Sequence, residues 1–241
     1  MTSDLLPNPA YGFHADPCSD RCRHIWQRGD HALIGVSPGN SYFTQERLTA
    51  LLNWAGHFFA VVDVLYVDTH IDTMLIARGH SIEQAMKLAK SRIRDVRRRI
   101  RRALERLNPG TTCFRVHPLS DFFADRAYQS LSNRIHDALK SDKGIVSVCE
   151  NMVRRFLTVR QGKDDSPTEN LSAGLNYLLA ELPFFVDSPS IFGFASSANC
   201  YHVSTPLVEY LVQPHNGALK AAQNQGFIVV RPSVTVGHTH L

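Results

Sequence analysis

Short apolar runs alternate along the chain with longer stretches in which apolar residues recur every three or four positions. Residues 32–36, Ala-Leu-Ile-Gly-Val, are apolar and partly β-branched, and they stop at Ser37-Pro38-Gly39-Asn40. A run of that length bounded by turn residues predicts a buried strand. Thr44 and Gln45 open a helical stretch over residues 46–58. Residues 59–67 form a second apolar run, the expected neighbouring parallel strand. Residues 113–118 predict a short strand, residues 190–203 a serine-rich loop and strand, and residues 226–232 the last strand.

The helical stretches lie between these runs. A short helix is predicted near residues 20–28. Ser81 caps a long one from residue 82 to about 107, which Asn108-Pro109-Gly110 ends. Its buried stripe is Ile93, Val96, Ile100, Leu104 and Leu107. Further helices are expected near residues 119–139 and 144–159, then, after a polar loop at 160–169, over 170–182, broken by Pro183. Thr205 and Pro206 supply an N-cap and a first-turn proline for residues 207–212. Strands alternating with helices predict an α/β fold, a doubly wound parallel sheet flanked by helices. The expected organisation is an irregular lead-in over residues 1–19, one domain over 20–232 and a mobile tail over 233–241.

With 241 residues, 44% of them hydrophobic, the chain can bury one large core without dividing. No stretch approaches the roughly 20 apolar residues of a membrane span. Residues 1–9 carry neither the basic nor the apolar part of a secretory leader, so a cytoplasmic location is expected. Five scattered cysteines read as reduced thiols. Cys18 and Cys22, with His14 and His24 nearby, lack the second pair that would complete a zinc site, and no metal is expected. No G-x-G-x-x-G follows a strand and there is no P-loop, so no nucleotide cofactor is expected.

Charge changes the picture. Residues 81–106 hold ten Lys/Arg and three Asp/Glu, a balance of +7, while the other 215 residues sum to −3. Lys90, Arg94, Arg97, Arg98, Arg99, Arg101 and Arg102 crowd one helix, with Asp95 as the only acid among them. Such a cluster repels itself unless phosphates neutralise it, and a lone helix of this kind suits recognition of a nucleic-acid backbone. A solvated face is the plainer alternative.

Ser37 stands where a strand meets a turn before a helix, at the sheet edge where α/β folds bind ligands. That makes it the candidate nucleophile. Gly35-x-Ser37-x-Gly39 also fits a hydrolase elbow, but Pro38 has no N–H for an oxyanion hole. The third reading is a serine-glycine turn with no chemistry. Asp68 and His70 follow the second run at the same edge, and hydrogen bonds that hold the loop are expected of them. Tyr177 and Glu181 share a helix face at i and i+4 among leucines, and a carboxylate placed there is usually paired or functional.

Taken together, residues 31–43, 66–72, 97–102, 173–181, 187–189 and 200–202 resemble the cyclodipeptide synthases, in family order. Asn40, Tyr201 and His202 are similar to the branch marked by Asn, Tyr and His at those positions. The resemblance implies a Rossmann-like fold similar to the catalytic domain of class I tyrosyl- and tryptophanyl-tRNA synthetases. The synthetase signatures His-Ile-Gly-His and Lys-Met-Ser-Lys-Ser are missing, so ATP-driven activation is not expected. Two aminoacyl-tRNAs are the implied substrates, with the acceptor stem on the basic helix, and a 2,5-diketopiperazine is the implied product. By resemblance, Ser37 carries the aminoacyl and dipeptidyl groups, and Tyr177 and Glu181 hold the α-ammonium. Tyr201 acts beside Ser37, positioned by Asn40 and His202. Leu33, Gly35, Leu119, Met152, Phe184 and Asn199 would surround the first side chain, and the bulk of Phe184 with the polarity of Asn199 suggests a small one. A monomer is favoured.

Overall fold

The computed structural model describes residues 12–107, 110–161, 168–214 and 217–233. The apolar run after residue 30 forms β2 (His31–Val36), preceded by β1 (Phe13–Pro17) and α1 (Asp20–Arg28). There follow α2 (Gln45–Phe58), β3 (Val61–Tyr66), α3 (Ile71–Ile76), α4 (Ile82–Leu104) and β4 (Cys113–Pro118). A 3-10 turn (Leu119–Phe122) leads to α5 (Arg126–Ser141), α6 (Lys143–Gln161) and α7 (Thr168–Phe192). The chain closes with β5 (Ser197–Tyr201), α8 (Pro206–Val212) and β6 (Gln225–Pro232).

The six strands form one sheet in the order β1-β6-β5-β2-β3-β4. β2 pairs in parallel with β3, where Gly35 faces Leu65, and with β5, where Leu33 faces Asn199. From β2 the chain builds outward to β3 and β4, then returns through the helices to β5 and β6 on the other side. The carboxyl end of β2 is therefore the point where strand order reverses, and a crevice opens there.

Successive side chains divide the core between the two faces. Ile34, Val36, Val62 and Val64 pack with Leu48, Leu52, Trp54, Val96 and Ile100 under α2 and α4. Leu33, Leu65 and Phe227 pack on the opposite face with α5, α6, α7 and α8. Burial on both faces explains why these strands are nearly continuous apolar runs.

Four expectations are corrected. The sheet is mixed, because β1 pairs antiparallel with β6, Ala15 facing Val230. Residues 13–17 are thus a strand and not irregular lead-in. Only Phe13 and Ala15 mark its inner face, and two apolar residues are too weak a signal without the partner strand. Pro183 does not end its helix: α7 runs through it, and the backbone leaves helical geometry at Asp187 (φ −159°, ψ 66°). There the Asp187 carboxylate accepts from Ser190 N at 3.1 Å and caps a second helix, with Pro189 in its tolerant first turn. Burial of Leu182, Phe184 and Val186 outweighs the hydrogen bond lost at Pro183. The helix expected over 119–139 is a 3-10 turn followed by α5, which Asp125 caps at 2.8 Å from Tyr128 N. Among the tail residues only Ser233 lies within the described structure.

A polar cluster crosses the sheet within this apolar frame. The fully buried Asp63 of β3 accepts from His31 Nε2 at 3.0 Å, His117 Nε2 at 3.2 Å and Arg115 Nε at 2.7 Å. Burial alone would raise its pKa, but hydrogen bonds from His117, His31 and Arg115 hold it far below the usual carboxylate range. Burial lowers His31. The neutral ring thus gives its Nε2 proton to Asp63 and takes one from Ser197 Oγ at Nδ1, 2.7 Å away.

Candidate active site

Ser37 is the first residue beyond β2. Its loop turns through Gly39 at φ +77° and is closed by Asn40 N on Ser37 O (3.2 Å) and Tyr42 N on Asn40 Oδ1 (3.0 Å). The fully buried Phe43 then anchors the chain before Thr44 caps α2 by accepting from Arg47 N at 3.1 Å.

Two phenols reach Ser37 from different elements. Tyr177 of α7 and Tyr201 at the end of β5 both hydrogen-bond it. Glu181 follows one turn after Tyr177. Burial pushes its carboxyl up to about 8. Burial, and next the Glu181 charge, raises Tyr177 well above its ordinary value and Tyr201 to about 12. Both phenols therefore stay protonated near neutral pH and serve as donors, while Glu181 titrates near the range of an α-amine. Asn40 Nδ2 lies 3.5 Å from the Tyr201 hydroxyl.

His202 sits behind this group. Its ring stacks on Tyr42 at 3.9 Å and 12° and meets Tyr201 at 4.3 Å. Burial lowers its pKa, and among the described residues its Nδ1 has no hydrogen-bond partner. His202 packs its ring against Tyr42, Phe43 and Tyr201.

The pocket beside Ser37 has a volume of about 150 Å³. Its walls include Leu33, Gly35, Met152, Phe184 and Asn199. Leu119 is fully buried in the core and is not among the residues that wall this pocket. A Cβ on Gly35 would meet nothing within 4 Å, so the bare backbone there is part of the open space. Asn199 is fixed by Nδ2 on Phe184 O (2.8 Å) and by Ser188 Oγ on its Oδ1 (3.2 Å).

Leu65, Met74, Val153, Gly174 and Phe185 also line the pocket, and the sequence did not single them out. Leu65 could have been found from its pairing opposite Gly35. Gly174 has a packing reason: a Cβ there would stand 2.2 Å from Val153 Cγ1. Its absence lets α6 close over α7 and brings Met152 and Val153 to the pocket. Asp68 binds Ser120 through N (3.0 Å) and Oγ (2.6 Å) and so holds the loop after β3. His70, at φ +57°, precedes α3.

The basic helix α4 divides its charges. Lys90, Arg94, Arg97, Arg98, Arg101 and Arg102 are exposed, with Arg98 on Asp95 at 3.0 Å and Arg101 near Glu105 at 3.6 Å. Arg99 is less exposed than these cations. It is half-buried and donates from Nη1 to Phe43 O at 2.6 Å.

A family model described as cyclodipeptide synthase matches residues 13–232. Cyclo(L-leucyl-L-phenylalanyl) synthase of Streptomyces noursei is 44% identical over 233 residues, 96% of this chain and 97% of its own length. Cyclo(L-tyrosyl-L-tyrosyl) synthase of Mycobacterium tuberculosis is 40% identical over 222 residues, 92% of this chain and 76% of its own. A crystal structure of a cyclo(L-leucyl-L-phenylalanyl) synthase, 44% identical, superposes with a TM-score of 0.85 over 92% of this chain and 99% of that one. A Mycobacterium tuberculosis structure, 37% identical, does so at 0.85 over 97% and 99%. It is described as demonstrating that cyclodipeptide synthetases are related to type I tRNA synthetases.

Proposed function

The chain belongs to the cyclodipeptide synthase family, and from that premise we propose that it joins the aminoacyl groups of two aminoacyl-tRNAs through esters on Ser37, without ATP. The observation that carries this reading is Ser37 hydrogen-bonded to Tyr177 and Tyr201 at the mouth of one pocket that also holds Glu181.

Ser37 Oγ attacks the carbonyl of the first aminoacyl ester. The bond to the tRNA ribose oxygen breaks, and that oxygen leaves with the serine proton, so no external base is consumed. The protonated phenol of Tyr201 donates toward the developing oxyanion, and Asn40 and the stack of His202 on Tyr42 hold that ring in place. The α-ammonium of the bound residue pairs with Glu181, and Tyr177 completes its contacts. A carboxyl at about 8 matches an α-amine, so Glu181 takes the ammonium proton and frees the nitrogen for attack.

That nitrogen attacks the ester of the second aminoacyl-tRNA and expels the second tRNA, leaving a dipeptidyl group on Ser37. The new terminal amine then attacks the Ser37 ester, closes the six-membered ring and returns the serine hydroxyl. In net terms two tRNA esters are broken for the two amides formed, the Ser37 ester being made and then broken. The exposed face of α4 suits the acceptor stem in both loadings, and the cytoplasm is where both substrates occur.

An apolar cavity of about 150 Å³ holds a group as large as benzene. The cavity also borders Ser37, Tyr177 and Glu181 and so takes the main-chain atoms of the first residue as well, and its mostly apolar walls suit an apolar side chain. Mass spectrometry of medium from cells expressing the protein, beside Ser37→Ala, tests the reading. A new diketopiperazine absent from the Ser37→Ala culture is expected; the same product from both would overturn the role of Ser37.

A further inference from the structure

α4 does more than present charge. Arg92 and Arg99 lie seven residues apart, two turns along one face, and both are half-buried where the other cations of α4 are exposed. Arg99 binds the carbonyl of Phe43 at 2.6 Å. Arg92 lies against Gly39: a Cβ on that glycine would stand 3.2 Å from Arg92 Cδ and 3.3 Å from its Nε and Cζ. These two contacts grip the Ser37 loop at its middle and its far end. Two of the loop's backbone bonds are long, 3.2 Å for Asn40 N on Ser37 O and 3.4 Å for Phe43 N on Asn40 O, beside Thr44 N on Tyr42 O at 3.0 Å. Such bonds alone hold a turn weakly.

We propose that Arg92 and Arg99 are positioning residues that brace the Ser37 loop against α4, so that the helix carrying the tRNA face also sets the aim of the nucleophile. The proposal rests on Ser37 as nucleophile and on α4 as the phosphate-binding face. Glycine at position 39 is doubly required, by its positive φ and by the guanidinium packed on it. A displacement of about 1 Å at a reacting group costs up to about 100-fold in rate, so a loosened loop is felt in chemistry and not in binding.

The test separates these two quantities in the full-length protein. Formation of the aminoacyl-enzyme is followed by intact mass in single turnover at saturating aminoacyl-tRNA. The Kd for uncharged tRNA is measured over a range of salt, and thermal melts confirm that each variant is folded. Gly39→Ala leaves every positive charge of α4 in place. It and Arg99→Ala are expected to slow acylation by about 10- to 100-fold while the salt slope of log Kd stays that of the wild type. Arg99→Lys, which can still reach the carbonyl, recovers part of the rate. Arg97→Ala, on the exposed face, weakens tRNA binding and reduces the salt slope by about 1. The brace is overturned if Gly39→Ala and Arg99→Ala acylate at the wild-type rate, or if Arg99→Ala loses salt slope as Arg97→Ala does. A wild-type protein that never acquires an adduct removes the nucleophile itself, and the brace falls with it.

Discussion

Replacing Glu181 by glutamine should make the protein more stable and inactive, and the stability gain should depend on pH in a defined direction. Burial raises this carboxyl from 4.5 to about 8. Below pH 4.5 the folded and unfolded chains both hold the proton, and Glu and Gln are equivalent. Between 4.5 and about 8 the folded chain keeps a proton that the unfolded chain releases, so wild-type stability falls as pH rises. At about 1.4 kcal/mol per unit the ceiling on that loss is about 5 kcal/mol. Relaxation of the surroundings around a buried charge brings the expected loss to about 1–3 kcal/mol. A chain of this size gains about 2–4 °C in melting temperature per kcal/mol. Calorimetry of both proteins from about pH 5 to pH 9 should therefore show coincident melts at the acid end and a Glu181→Gln protein that melts higher at the alkaline end. Diketopiperazine formation should be lost, because an amide cannot pair with or deprotonate an ammonium. A melting difference that is flat across pH, or a wild type that is the more stable at alkaline pH, would refute the burial argument. A polar site kept at the expense of stability is what catalysis of this kind requires.

Asp63→Asn should cost about 3–5 kcal/mol at neutral pH, because Arg115 is left without its buried partner. Asp63 is held below its ordinary pKa, so that contribution is present above about pH 4 and fades below it; urea melts at pH 7 and 3.5 should show the gap closing. Gly174→Ala places a methyl 2.2 Å from Val153 Cγ1, and forcing α6 off α7 should cost about 1–3 kcal/mol by the same melts. The lining of the pocket moves with α6, so product analysis of Gly174→Ala should show a changed yield.

Much of this site was legible because its signals are local. The strand, turn and helix around Ser37 occupy consecutive residues, as do the i and i+4 pair Tyr177 and Glu181 and the cap-proline pair Thr205 and Pro206. The antiparallel β1 was not legible, since two inward residues become a strand only beside β6. The same holds for Asp63, which looked like one polar interruption of an apolar run until Arg115, His31 and His117 arrived from other strands. Arg99 reads as one more cation in a basic helix; only the three-dimensional packing turns it toward Phe43. Leu119 and Phe184 are both apolar, fully buried residues outside the strands, and nothing in sequence tells which of them borders the cavity.

The central claim is an aminoacyl group carried on Ser37. Its most direct test is the intact mass of the purified protein after brief incubation with one purified aminoacyl-tRNA at a time. The account predicts an added mass of one aminoacyl residue, located at Ser37 by peptide mapping and missing from Ser37→Ala. Cyclic dipeptide made by Ser37→Ala at the wild-type rate, with no adduct on either protein, would contradict it.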